Sequence, residues 1–192
     1  VIGDCCACAV MASIAHLYPK YIKQIVKDNG NNTFTVCLYD PKGKPVEVSV
    51  SNLFVADGDK LGAASGKADQ VTWATVIEKA IMKWKQVYGG SSNINGIATE
   101  FVAAILTGNG SSFAFSPGKL DELKRAVTVS LQQGKIVIGG FKDNGLPVGQ
   151  YKTVNFHAYS FYPSSSKDVL FTMRNPWGFL PLVSGGNSDG KE

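Results

Sequence analysis

Three residue types in this sequence could together perform nucleophilic catalysis: a cysteine near its start, and a histidine and an asparagine near its end. Cys5 follows Asp4 at the beginning of an apolar run with helical spacing. Unpaired backbone N–H groups at a helix start carry partial positive charge and favour the thiolate form of cysteine. A thiolate nucleophile works with a base, and the base needs a third group that orients it. We therefore expect Cys5 to attack a carbonyl carbon with help from a histidine.

The chain has two histidines, which makes the search for the base short. His16 belongs to the same helical run as Cys5, and at about 1.5 Å per residue it lies roughly 16 Å from Cys5. It cannot reach the sulfur. His157 lies far downstream, as in papain-like enzymes, which place the histidine and the asparagine on the lobe opposite an early nucleophile. His157 is therefore the candidate base.

Strand pairing predicts the residue that orients the base. Residues 157–162 and 169–174 have strand composition, and a turn-forming segment separates them. A turn centred on Ser165 would place His157 opposite Met173, with Asn175 one diagonal step away on the same face. The pattern therefore predicts that Asn175 lies beside His157.

Other interpretations use the same residues. Taken singly, a cysteine is more often a buried small side chain, and Asn-Pro is an ordinary turn opener. Cys5 and Cys8 form the C-x-x-C of a thiol-disulfide oxidoreductase, but that reading leaves His157 and Asn175 unused. A zinc site built from Cys5, Cys8, Cys37 and a histidine lacks a second paired motif, so we expect no catalytic metal. The combination of cysteine, histidine and asparagine favours the nucleophilic reading.

Composition describes an ordinary folded protein and excludes several classes. The 192 residues are 44% hydrophobic and 18% charged, with a formal net charge of +4. Lysines and arginines are scattered, so no basic run could follow a nucleic-acid backbone. No apolar stretch approaches the roughly 20 residues of a membrane span. We expect a soluble monomer, and because the chain opens without a methionine, we expect a piece of a longer or processed polypeptide.

Periodicity predicts the elements that must hold these residues in place. Pro19 should divide a helical run over residues 5–27, and Asp57 to Gly66 should be loop. The early part reads as helices with little sheet and the later part as sheet-rich, which predicts an α+β fold with lobes at residues 1–95 and 96–192. The remaining expected elements are helices over residues 72–87, 98–106 and 119–133, and strands over residues 33–40, 46–54 and 136–141.

At this point the sequence resembles the calpain family of cysteine peptidases, in the papain clan, over nearly its whole length. Its motifs are Gly3-Asp-Cys5, Trp73 with Glu-Lys-Ala80, Leu-Thr-Gly108, His157-Ala-Tyr-Ser160 and Arg174-Asn-Pro-Trp-Gly178. The last two are the most specific together. The resemblance implies a papain-like two-lobe endopeptidase with Cys5 as nucleophile, His157 as base and acid, and Asn175 as orienter.

The resemblance also implies residues that contact substrate. Trp177 would shield the hydrogen bond between Asn175 and His157 from water, and the backbone of Gly96 would pair with the substrate. The chain departs from the family where Phe156 stands in place of a common glycine and Cys6 in place of tryptophan, so its substrate contacts should differ. The family's oxyanion glutamine would fall before Val1, so this stretch alone is expected to be weakly active, or a catalytically dead scaffold.

Regulation and narrower identity follow from the same resemblance. Family members are often calcium-regulated, and Asp57, Asp59 and Asp189 lie in loops that could supply oxygen ligands. The expected partners are polypeptide substrates and the protein's own propeptide or flanking segments. Short hairpins and the lack of extra domains look more like bacterial calpain-like peptidases of the Tpr type, either cytoplasmic or exported to the cell surface.

Overall fold

The computed structural model describes residues 3–66, 70–111, 119–141, 147–148, 151–166 and 169–178. The chain forms two compact units, Val1–Ser112 and Phe113–Glu192. The described part contains five helices and two three-stranded antiparallel sheets, so the α+β prediction is confirmed. No helix among these residues is both long and apolar enough to cross a bilayer.

The first unit holds four helices around a three-stranded antiparallel sheet in the order β1-β2-β3. Pro19 does divide the first helical run, but the run ends earlier than predicted because Val26–Asp28 pairs with β2. β3 ends at Ser51, three residues before the predicted end of its strand, and the segment predicted as loop from Asp57 to Gly66 includes part of a hairpin of two-residue strands, β4 and β5. The elements are α1 Cys5–Leu17, α2 Pro19–Ile25, β1 Val26–Asp28, β2 Thr33–Tyr39, β3 Pro45–Ser51, β4 Ala56–Asp57, β5 Lys60–Leu61, α3 Trp73–Gly89 and α4 Thr99–Thr107.

The core of the first unit lies between the helices and the sheet. α1 buries its small and medium side chains, and α3 buries the apolar stripe predicted from its spacing. Trp84 of α3 also donates its indole N–H to the carbonyl oxygen of Tyr39 at 2.8 Å, which fastens α3 to β2. α4, assigned to the second lobe from the sequence, packs against α1 and β2 within this unit.

The second unit packs one helix against a three-stranded antiparallel sheet in the order β10-β9-β6. Its core is formed by Leu131, Tyr159 and Phe161. Gly139 on β6 leaves room for the ring of Phe161, since an added Cβ would lie 2.7 Å from that ring. The elements are α5 Leu120–Gln132, β6 Val137–Phe141, β7 Pro147–Val148, β8 Tyr151–Lys152, β9 His157–Pro163 and β10 Phe171–Arg174.

The pairing of β9 with β10 differs from the predicted register. Ser160 lies opposite Arg174, whereas a turn centred on Ser165 would have placed it opposite Leu170. The predicted pairing of His157 with Met173 is therefore wrong, and Met173 faces Phe161 instead. The turn is centred further along the chain than its serine-rich composition indicated.

Candidate active site

The structure places Cys5 at the first position of α1. The first helical hydrogen bond runs from the Cys8 N–H to the Asp4 carbonyl oxygen at 3.0 Å. The backbone N–H of Cys5 therefore belongs to the first turn, whose donors have no helical acceptor. This position combines partial positive charge for a thiolate with a backbone donor for a developing oxyanion.

Neighbouring residues hold the chain just before Cys5 from both sides. The Gly3 N–H donates to the Asn95 side-chain oxygen at 2.6 Å, and the Gly96 N–H donates to the Gly3 carbonyl oxygen at 2.9 Å. Gly96 has a φ of +65°, a conformation that favours glycine. Because its N–H is used inside the chain, only its carbonyl remains to pair with a substrate.

Asp4 occupies the N-cap position of α1, but it does not cap the helix with its side chain. Its carboxylate instead accepts a hydrogen bond from the Cys8 thiol, with a sulfur-to-oxygen distance of 3.4 Å. The buried carboxylate has a thiol and another carboxyl as neighbours, and these take the place of the backbone donors.

Two of the three N-terminal thiols are held in the protonated form. The hydrogen bond from Cys6 to Cys5, together with burial, raises the pKa of the Cys6 thiol. Burial and the charge of Asp4 raise the pKa of the Cys8 thiol. A cysteine attacks as its thiolate, so neither Cys6 nor Cys8 is set up to act as a nucleophile.

The second unit brings His157 and Asn175 together. His157 begins β9 and Asn175 directly follows β10. The His157 Nε2 and Asn175 Oδ1 atoms lie 2.7 Å apart, and both side chains are buried. The predicted neighbour is therefore correct although its predicted register is wrong.

A tight turn fixes which way the Asn175 amide points. The Trp177 N–H donates to Asn175 Oδ1 at 3.0 Å, and the Gly178 N–H donates to the Asn175 carbonyl oxygen at 3.0 Å. A backbone N–H can only donate, so the atom it meets must be the amide oxygen. His157 Nε2 must then carry a hydrogen. In the neutral imidazole this leaves Nδ1 with the lone pair that can accept a proton.

Aromatic rings enclose the imidazole. The Trp177 ring lies 4.3 Å from the His157 ring between centroids, and the Tyr159 ring meets it edge-on at 5.1 Å. Tyr159 is fully buried and accepts a hydrogen bond from the Val154 N–H at 2.9 Å. Trp177 remains half exposed, so one of its faces covers the imidazole while part of the ring is open to solvent.

Phe156 has an unusual backbone. Its φ is +50°, in the left-handed region, and its side chain is 81% exposed. A residue with a Cβ carries strain there that a glycine would not. The glycine that the resemblance leads us to expect here would adopt this conformation without strain, whereas this chain carries an exposed aromatic ring directly before His157.

Three residues that surround Cys5 or His157 were not predicted from the sequence: Tyr159, Asn95 and Glu78. Tyr159 had a signal, because residues two apart on a strand share a face. Asn95 and Glu78 had none, since their roles depend on contacts with Gly3 and Asp4 from distant parts of the chain.

For two of the three residues predicted to bind calcium, the structure describes no side chain. Asp59 is exposed, nothing is described of the Asp57 side chain, and Asp189 lies outside the described residues. Within the described ranges, no group of three or more histidine, cysteine, aspartate or glutamate side chains is arranged to hold a metal ion.

Comparison with known proteins places these features in one family. A search of curated proteins finds no match to the chain. Residues 1–191, almost the entire chain, match the family described as calpain family cysteine protease. The chain therefore belongs to the calpain family and is a cysteine-type peptidase, a hydrolase.

Proposed function

We propose that this protein is an endopeptidase that cleaves polypeptides through Cys5, His157 and Asn175, carried on the two lobes of a papain-like fold. The observation that carries the proposal is the 2.7 Å contact between His157 Nε2 and Asn175 Oδ1. The turn at Trp177 orients the amide so that Nδ1 is left as the basic nitrogen. The helix start at Cys5 offers a favoured thiolate and supports the same assignment.

The reaction begins when Cys5 gives its thiol proton to His157 Nδ1 and the resulting thiolate attacks the carbonyl carbon of the scissile peptide bond. The carbonyl oxygen becomes an oxyanion, to which the Cys5 backbone N–H donates. As the intermediate collapses, the C–N bond breaks and His157 gives its proton to the leaving amine, which leaves a thioester on Cys5. His157 then takes a proton from water, which attacks the thioester and releases the carboxylic acid and the thiol.

Three residues are proposed to contact the substrate. The exposed Phe156 ring adjoins the base, and the open part of Trp177 adjoins the same imidazole. Gly96 contributes through its carbonyl oxygen, because its N–H is bonded to Gly3. An exposed aromatic ring beside the histidine favours substrates with apolar side chains near the cleaved bond.

We propose that calcium or a propeptide regulates the peptidase activity. Calcium bound near Asp57, Asp59 and Asp189, or a propeptide from flanking sequence, would control how closely the two lobes approach, because catalysis requires precise alignment of sulfur and imidazole. The narrower assignment to bacterial peptidases of the Tpr type stays a prediction that only the short hairpins favour.

The first test is cleavage of casein by the full-length precursor and by its Cys5→Ala variant, each with calcium or with a chelator. Cleavage that is lost in Cys5→Ala but kept in Cys37→Ala supports the proposal. Casein binding without cleavage by the wild type would instead favour the scaffold alternative. Activity that is unchanged by the chelator would reject calcium control.

The second test is alkylation with limiting iodoacetamide, read by peptide mass spectrometry. We expect Cys5 to be labelled before Cys6 and Cys8, because their raised pKa values keep them protonated. Labelling of all three at one rate would reject an activated Cys5.

A further inference from the structure

Glu78 is a buried carboxyl group on α3 that the catalytic proposal does not use. It is 1% exposed, and its Oε2 atom accepts a hydrogen bond from the Ala64 N–H at 2.8 Å. One turn earlier on the same helix, the Thr75 hydroxyl donates to the Ala64 carbonyl oxygen at 2.5 Å. α3 therefore holds both sides of the Ala64 backbone, and Glu78 is fixed in place by that contact.

The other oxygen of Glu78 has no donor facing it. Oε1 is buried and, among the described residues, no group donates a hydrogen bond to it. The Asp4 side chain lies next to the Glu78 carboxyl group, and two carboxyl groups form a hydrogen bond only when one of them carries a proton. A proton on Oε1 satisfies both observations. Burial and the neighbouring Asp4 raise the pKa of Glu78 to about 8, in agreement with this geometry.

Asp4 connects this carboxyl pair to the nucleophile. Asp4 immediately precedes Cys5, and its carbonyl oxygen accepts the first hydrogen bond of α1. Its carboxylate accepts from the Cys8 thiol as well. A hydrogen-bond donor that fixes the Asp4 side chain therefore also fixes the start of α1, where the Cys5 sulfur and backbone N–H lie.

We propose that Glu78, as a neutral carboxylic acid, is a positioning residue for the nucleophile: it donates a hydrogen bond to Asp4 and ties the start of α1 to α3 and the Ala64 backbone. The inference rests on the proposed role of Cys5. Glu78 positions the nucleophile only while it is protonated, because an ionised Glu78 would repel the Asp4 carboxylate instead of donating a hydrogen bond to it.

The charged groups around Glu78 determine how its protonation affects the ionisation of the Cys5 thiol. Asp4 and Cys8 face it from the start of α1, and Glu100 of α4 adds negative potential near Cys6. Lys79 and Lys83, its neighbours on α3, donate to backbone oxygens of β3 and of Leu53. Within the described ranges no lysine, arginine or histidine pairs with Glu78 or Asp4. Loss of the Glu78 proton therefore brings a second negative charge toward Cys5 and opposes its ionisation.

The experiment measures the rate of Cys5 alkylation by iodoacetamide between about pH 6 and pH 10, near the expected titration of Glu78 and of cysteine. It compares the wild type with Glu78→Gln and Glu78→Ala. The glutamine amide still donates to Asp4 and its oxygen still accepts from Ala64, but it cannot ionise. We expect the ratio of the wild-type rate to the Glu78→Gln rate to fall by up to about tenfold as pH rises past 8, because an ionised Glu78 no longer donates to Asp4 and the start of α1 loses the placement that favours the Cys5 thiolate. Glu78→Gln should also react faster than Glu78→Ala at every pH.

The control is Glu47→Gln, which removes an exposed glutamate on β3 and should leave the ratio flat. A ratio for Glu78→Gln that stays constant with pH would overturn the positioning role. So would a Glu78→Gln protein that fails to fold while Glu47→Gln folds, since the amide keeps both hydrogen bonds. If wild-type Cys5 is not labelled ahead of Cys6 and Cys8, the proposed function fails. If Cys5 is labelled selectively but the ratio of the wild-type rate to the Glu78→Gln rate stays constant with pH, only the positioning role of Glu78 is rejected.

Discussion

At the residue scale, the Asn175 side chain determines which form of His157 is present. Its Oδ1 atom receives the Trp177 N–H and lies 2.7 Å from His157 Nε2, so the amide cannot rotate without losing a backbone hydrogen bond. The histidine therefore keeps its hydrogen on Nε2 and its lone pair on Nδ1. In the proposed role of base, His157 would need no rearrangement before it accepts a proton.

We expect Asn175→Ala to lower kcat for casein cleavage by at least about tenfold, with a smaller change in KM. General acid–base catalysis contributes roughly 100- to 10,000-fold, and part of this is lost when the imidazole is no longer oriented. Steady-state kinetics measures both constants, and Asn52→Ala, at an exposed site, is the control. An unchanged kcat would show that Trp177 and Tyr159 orient the ring without the amide.

Phe156 allows strain and substrate contact to be separated. Phe156→Gly removes both the left-handed strain and the ring, whereas Phe156→Ala removes only the ring. We expect urea unfolding to show the glycine variant more stable than the alanine variant by about 1 kcal/mol. Both variants should raise KM for apolar substrates. A KM equal to that of the wild type would remove Phe156 from the substrate site.

At the element scale, close approach of chain segments sets where helices end. α4 ends at Gly108, whose φ of +73° favours glycine. An added Cβ at that position would lie 2.8 Å from the Tyr39 ring of β2. Gly108 therefore serves both as a helix cap and as the point where α4 passes β2.

We expect Gly108→Ala to lower the free energy of unfolding by about 2–3 kcal/mol, from backbone strain and overpacking together. Gly30→Ala is a matched control, because Gly30 has a φ of +72° with nothing within 4 Å of an added Cβ. Its cost should be about 1 kcal/mol. Urea unfolding of both variants gives the difference, and equal losses would mean that Tyr39 moves away freely.

At the scale of the whole molecule, the buried carboxyl pair predicts how stability varies with pH. The pKa of Glu78 rises from its ordinary 4.5 to about 8 in the folded state. Between these values the folded protein binds more protons than the unfolded chain, so stability falls as pH rises through this window. The slope from one such group is at most about 1.4 kcal/mol per pH unit.

We expect Glu78→Gln to remove this decline, so that its stability relative to the wild type increases from about pH 5 to about pH 8. Urea unfolding at several pH values measures the effect, and Glu47→Gln should run parallel to the wild type. Parallel curves for Glu78→Gln as well would mean that Glu78 is ionised in the folded protein at neutral pH.

The sequence predicted the elements whose pattern is local. The apolar spacing of α3, the break at Pro19 and the strand composition of β2 all depend on nearby residues, and each was confirmed. β1 was missed because Val26–Asp28 continues a helical pattern, and it forms a strand only because β2 is there to pair with it. The register of β9 and β10 was wrong because composition does not fix where a turn is centred.

By itself the sequence determined the residues available for chemistry: a cysteine at a helix start, one histidine outside that helix, and an asparagine that directly follows the next long strand. The asparagine was found despite the wrong register because diagonal neighbours lie on both sides of a paired position. Only the tertiary structure decided the Asn175 amide orientation, the left-handed Phe156 and the meeting of Glu78 with Asp4. These depend on contacts between residues far apart in the chain, and such contacts leave no periodic trace in the order of the residues.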